Sequence, residues 1–143
     1  MKGKLAAAAI VGLTGTGAQS PAPRSVWDGV YTAEQAKRGE ARYNELCASC
    51  HGDTLGGGES APPLAGGEFL STWNGLTAGD LFERTRKTMP QSKPGSLTRE
   101  QNAEILAYVF SANRFPAGKA ELERATEVLM EIRSEAAKPE SKK

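Results

Sequence analysis

The chain lacks any apolar run approaching the length of about 18 to 20 residues that a membrane span needs, which excludes a protein of several transmembrane helices. It also lacks an excess of either charge: 18 Lys and Arg stand against 17 Asp and Glu, a net charge of +1. That balance argues against nucleic acid as the main partner. Cysteine occurs twice, histidine once, and aromatic residues make up 6% of the chain. Thiol and imidazole chemistry is therefore confined to three positions. Glycine and proline, by contrast, are plentiful at 16 and 8, so turns and loops should form much of the fold. A length of 143 residues suits one domain and leaves little room for a long parallel sheet with its covering helices.

The first residues read as a leader. Lys2 and Lys4 form a short positive region, Leu5 to Leu13 is apolar, and small residues follow through Ala18. This is the plan of a secretory signal peptide, too short to span the bilayer, with cleavage expected after Ala18. No cysteine lies near the junction, so a lipid anchor there is excluded. The expected organisation is a signal peptide at 1–18 and an extension at 19–31. A core domain at 32–118, an amphipathic helix at 119–137 and a flexible tail at 138–143 follow.

Export to an oxidising compartment would favour pairing of two cysteines. Here they stand as Cys47-Ala48-Ser49-Cys50, with His51, the single histidine, directly behind. A thiol oxidoreductase would carry such a motif at a strand-to-helix turn, whereas the residues upstream read as helix. Zinc needs four ligands, or three and a water, and no carboxylate companion is evident. The spacing fits covalent attachment of a c-type haem. Two thiols three positions apart on a helical turn reach the two vinyl groups on one porphyrin edge. The next residue then projects beneath the ring, where its Nε2 binds iron. Its other ring nitrogen should donate to a backbone carbonyl, fixing the tautomer and the ring plane.

With no second histidine, the opposite iron ligand must be another donor. Met1 leaves with the leader, so Met89 and Met130 remain. Met89 stands in Thr88-Met89-Pro90, where the proline disfavours helix and makes a stiff extended segment able to present a thioether. A soft neutral sulfur favours ferrous iron. Met130 lies near an apolar stripe and reads as packing, and Lys87 is close enough in sequence to be a conditional substitute.

Two helices frame this motif. Thr32 with Gln35 reads as a capping box opening a helix from Ala33 to Cys47. Ala36, Gly39, Tyr43 and Leu46 trace one of its faces. Gly39 costs about 1 kcal/mol of helix propensity, which close approach of a crossing helix would explain. Thr98 with Gln101 opens a second helix to Asn113, with Ile105, Leu106, Val109 and Phe110 on a broad apolar face. Between the haem motif and Met89 the chain reads mostly as loop, with a short helix starting at Thr77. A loop of that length needs something to fold around, and a porphyrin would supply it. Pro62 or Pro63 is placed to offer the carbonyl for His51. Trp73 reads equally as core or as an indole N–H donor to a haem propionate.

On the CASCH motif at Cys47–His51 and the TMP segment at Thr88–Pro90, the sequence resembles the small class I cytochrome c family from about Thr32 to Asn113. The resemblance implies an all-α, haem-wrapped fold whose N- and C-terminal helices cross. It implies one haem c bound through Cys47 and Cys50, with iron held by His51 and Met89. It also selects Pro62 as the carbonyl partner and implies that Ile105 and Tyr108 pack on Gly39 and Tyr43. The ending Asn113-Arg114-Phe115-Pro116-Ala117-Gly118 looks like a bacterial subgroup found near quinoprotein dehydrogenases. The implied function is a periplasmic one-electron carrier, not an enzyme, and monomeric in isolation. Its donor would be a quinoprotein dehydrogenase and its acceptor a terminal oxidase. The alternative is a cytochrome subunit bound tightly to such a dehydrogenase.

Beyond Gly118, Leu122, Ala125, Leu129 and Ile132 repeat at helical intervals. They predict an amphipathic helix that covers the domain or, alternatively, recognises a partner. Arg84, Arg86, Lys87, Lys93 and Arg99 form a run of bases without an acid, expected to rim the haem edge and steer an acidic partner.

Overall fold

A computed structural model describes residues 24–141 together with Gly3, Gly12, Gly15 and Gly17. Those glycines aside, the expected signal peptide at 1–18 and the start of the extension lie outside the described residues. Helices occupy Ala33–Leu46 (α1), Ala48–His51 (α2), Gly67–Trp73 (α3), Ala78–Thr88 (α4), Arg99–Ala112 (α5) and Thr126–Leu129 (α6). Two short strands, Arg24–Ser25 (β1) and Ile132–Arg133 (β2), pair in parallel. No helix of the described residues is long and apolar enough to cross a membrane.

Each long helix starts where a threonine oxygen takes up an otherwise unpaired N–H of the first turn. Thr77 and Asp80 close a complete capping box on α4, and Thr98 and Gln101 do so on α5. At α1 only half of the expected box is made. Thr32 Oγ1 accepts from the Gln35 N–H at 3.1 Å. The Gln35 side chain turns inward instead, donating to the Leu122 carbonyl at 3.1 Å and accepting from the Leu122 N–H at 2.7 Å. Two hydrogen bonds to a buried backbone outweigh one to an exposed cap, and they tie α1 to the tail.

α1 and α5 cross at Gly39. A Cβ built there would fall on the carbonyl of Glu104 and 3.0 Å from Tyr108 Cβ, so the backbones meet only because glycine has no side chain. Tyr43 and Tyr108 pack beside the crossing with ring centroids 5.3 Å apart and the rings tilted by 55°. The residue facing Gly39 is thus Glu104 rather than Ile105. One residue further, a rotation of about 100° about the helix axis turns Ile105 away from the crossing. Glu104 is buried, and its two oxygens accept from Arg38 Nε at 2.8 Å and from Arg42 Nε.

The amphipathic helix expected over 119–137 does not form. Only Thr126–Leu129 is helical, and the chain on either side runs extended. Leu122, Leu129 and Ile132 are nevertheless buried, so their spacing records burial and not a continuous helix. Neighbouring segments supply the backbone partners that a helix would have supplied. Arg24 N–H donates to Glu131 O at 3.2 Å, Val26 N–H to Arg133 O at 3.0 Å, and Ser134 N–H to Leu76 O at 2.8 Å. Trp27 Nε1–H donates to Glu135 O at 2.9 Å. The tail therefore covers the domain as a strap. Residues 138–141 are exposed without regular structure, and Lys142 and Lys143 lie outside the described residues.

Candidate functional site

α1 ends at Leu46 and α2 begins at Ala48, leaving Cys47 as the joint. Cys50 N–H and His51 N–H both donate to Cys47 O, at 3.2 and 2.9 Å, so one tight turn holds the whole motif. Cys47 is half-buried, Cys50 exposed and His51 buried. All three line a cavity of about 570 Å³. Its apolar wall comes from Leu46, Phe69, Leu81, Ile105, Leu106 and Val109, and Met89, Pro62 and Trp73 line it too. The structure thus brings every residue expected at the site around one space. That space is within the usual range for cofactor pockets, roughly 300–1,000 Å³.

The imidazole is held from one side. His51 Nδ1 lies 2.8 Å from the carbonyl oxygen of Pro62. A carbonyl only accepts, so Nδ1 is the donor, and Nε2 is the ring nitrogen left to bind iron. Pro62, not Pro63, makes this contact. The loop carrying Pro62 is bonded to itself and to the motif. Gly57 N–H donates to His51 O at 2.7 Å, and Gly58 N–H to Ala61 O at 2.9 Å. Gly57 has φ 78°, and a Cβ there would lie 2.7 Å from Pro63 N, so this turn admits only glycine. Tyr43 Oη–H donates to Gly52 O at 2.7 Å and braces the residue after His51.

Met89 is the C-cap of α4, with extended backbone at φ −121° and ψ 151°, as the following proline predicts. Its N–H still bonds to Thr85 O at 2.9 Å, which ties the start of the extended segment to the helix end. α4 is longer than the sequence suggests and α3 is unexpected; both line the cavity, as does α5. Trp73 stands in this wall, half-buried and packed against the core, its ring 6.4 Å from Phe69.

The other candidate donors lie elsewhere. Lys87 Nζ pairs with Glu83 at 3.0 Å and is not among the cavity-lining residues. Met130 is neither core nor cavity: it is 40% exposed and covers Gly79, with Thr77 Oγ1 3.1 Å from its sulfur. The run of bases is also less free than the sequence suggests. Arg86, Lys87 and Arg99 converge on Glu83, and hydrogen bonds from Arg86 and Thr126 hold that carboxyl well below the usual range. Arg84 reaches the cavity rim.

The Cys47 thiol is raised by its surroundings. Burial, and then the neighbouring Cys50, push the Cys47 thiol up to about 11, whereas exchange-active cysteines are lowered. Among the described residues no three His, Cys, Asp or Glu side chains are grouped to hold a metal ion by themselves. Two tethering thiols, a buried imidazole with Nε2 available, a thioether and an apolar wall together fit haem c.

The family model for cytochrome c oxidase, cbb3-type, subunit III matches residues 34–109, from the start of α1 almost to the end of α5. The chain belongs to this family. It is a class I c-type cytochrome, and covalently bound haem c and electron transfer between redox proteins follow from that membership. No curated protein is significantly similar to the chain. Among solved structures, the sulfane dehydrogenase SoxCD from Paracoccus pantotrophus aligns at 22% identity with a TM-score of 0.49, over 85% of this cytochrome and 68% of that chain.

Proposed function

We propose that this cytochrome is a periplasmic one-electron carrier with a single haem c, tethered by Cys47 and Cys50 and ligated by His51 and Met89. The observation that carries the reading is the convergence of the His51 imidazole and the Met89 thioether on the cavity that both cysteines line. Haem c supplies a ferric–ferrous couple when bound. The chain's own residues hold it and shield it. His51 donates its Nδ1 proton to Pro62, which would fix the ring so that Nε2 holds the iron. The start of the extended segment, fixed between α4 and Pro90, presents Met89 with little freedom to withdraw. Leu81, Ile105, Leu106 and Val109 exclude water from the wall, which favours the less charged ferrous form. Were His51 and Met89 both to ligate the iron, they would leave it no position for a substrate.

Leu122, Leu129 and Ile132 of the tail are buried against the domain, which favours a free carrier over a subunit anchored through those residues. A quinoprotein dehydrogenase as donor and a terminal oxidase as acceptor are the partner classes to assay first. The deciding experiment is the visible and near-infrared spectrum in both oxidation states, with Met89→Ala as control. The expected result is a weak near-infrared sulfur–ferric band in the parent, lost in Met89→Ala, with carbon monoxide binding gained by the ferrous variant. A parent that binds carbon monoxide rapidly at neutral pH would overturn the ligation. Fractionation of cells after expression of the full chain checks the compartment.

A further inference from the structure

The bond from His51 to Pro62 is only as steady as the loop that carries Pro62, and a side chain from the far end of the domain holds that loop. Asn113 is the C-cap of α5 and is 8% exposed. Its Nδ2 donates to Leu64 O at 2.9 Å and to Val109 O at 2.8 Å, and its Oδ1 accepts from the Gly66 N–H at 3.1 Å. A side-chain amide has two donor hydrogens and an acceptor oxygen, and here all three groups are engaged. Closing the helix end requires only the Val109 bond. The other two reach across to the loop, two and four residues beyond Pro62. The same segment is fixed from behind by Leu55, whose carbonyl accepts from Leu64 N–H at 2.8 Å and Ala65 N–H at 3.2 Å. Leu55 itself stands at φ 59°, a left-handed conformation that persists only where surrounding bonds over-determine it.

We propose that Asn113 is the positioning residue for His51: through Leu64 and Gly66 it sets the Pro62 carbonyl, and so the strength of the hydrogen bond on the imidazole Nδ1. The inference rests on His51 being an iron ligand, as proposed above. A firmly bonded Nδ1–H makes the imidazole a stronger donor and stabilises ferric iron. Loosening the loop weakens that donation, so the reduction potential should rise and the Nδ1 proton should exchange faster.

The test uses holoprotein carrying Asn113→Ala or Asn113→Asp, with Leu129→Ala as a control that weakens the core without touching the loop. Asp keeps the acceptor for Gly66 but loses both donated bonds. The readouts are solvent exchange of the His51 Nδ1 proton by NMR and the reduction potential by spectroelectrochemical titration. Both Asn113 variants should exchange about tenfold faster or more, the scale of one lost hydrogen bond, and should shift the potential upward. Leu129→Ala should melt earlier with both readouts as in the parent. Unchanged readouts in the Asn113 variants, or equal changes in Leu129→Ala, overturn the assignment while leaving His51 ligation standing. Spectra showing that His51 does not bind iron would overturn both. Should neither Asn113 variant accumulate, the parent alone decides. The Gly66 amide and the His51 Nδ1 proton should then show the same dependence of exchange on denaturant, and different dependences overturn the proposal.

Discussion

The carbonyl of Glu104 fills the space where a side chain on Gly39 would begin. That contact sets how closely α1 and α5 approach, and their crossing supports Ile105, Leu106 and Val109 along the cavity wall.

Gly39→Ala should therefore destabilise the holoprotein. Alanine gains about 1 kcal/mol of helix propensity. Its methyl group, however, meets backbone rather than a movable side chain, and overpacking of this kind costs about 1–3 kcal/mol. The clash wins because neither backbone can yield without parting the helices. Thermal melts of parent and variant check it, and an unchanged or raised midpoint would count against the crossing.

Glu104 predicts a pH dependence. Burial would raise its carboxyl, but hydrogen bonds from Arg38 and Arg42 outweigh that and hold it below the ordinary carboxylate value. A lowered folded-state value stabilises the protein above the unfolded value, about 4.3, and the benefit is lost as pH falls from there through the folded value. Glu104→Gln should cost about 1–3 kcal/mol at pH 7, the range for losing charged hydrogen bonds. Denaturant titrations should show the gap between parent and Glu104→Gln narrowing below about pH 4, and a constant gap would contradict the ion-pair account.

Tyr43 should ionise late. Burial is the largest cause, and the charges that Tyr108 and Asp53 can carry add to it, raising the phenol above its ordinary value. The stability this gives is full below the unfolded value near 10 and is lost as pH rises toward the folded one. Burial raises Tyr31 and Tyr108 as well, so ultraviolet titration should show late ionisation of all three tyrosines in the parent and of one fewer in Tyr43→Phe. That variant, which also loses the bond to Gly52, should be about 0.5–1.5 kcal/mol less stable.

Ile132→Ala tests the strap. Ile132 is fully buried although it lies far beyond the matched family region, so truncation should cost about 2–5 kcal/mol as in other cores. A melt within a degree of the parent would mean that the tail is only loosely laid on.

Local chemistry was legible in the sequence wherever one residue type answers one local need. Cys47 to His51, the extended Met89 before Pro90, the caps Thr32 and Thr98, and Gly39 all belong to that class. The choice of Pro62 over Pro63 needed the family pattern, because both carbonyls are close in sequence. What stayed hidden depends on partners distant in the chain. Nothing near Gln35 indicates that Leu122 will claim its amide, and nothing near Asn113 points to Leu64 and Gly66. The tail misled for a related reason. Leu122, Leu129 and Ile132 keep helical spacing, yet an extended chain with one helical turn buries the same residues. α3 escaped notice because seven residues opening at Gly67 without a side-chain cap carry little periodic signal.

The pairing of Arg24–Ser25 with Ile132–Arg133 bears on how the molecule is completed. Among the described residues, β1 has no ladder partner until β2 exists, and such distant closures are the slowest to form. The haem-bearing region between them is the part best able to collapse first, with the two ends knotted together over it afterwards like a drawstring. Arg24–Ser25 would then wait, unseated, until Ile132–Arg133 had reached its place.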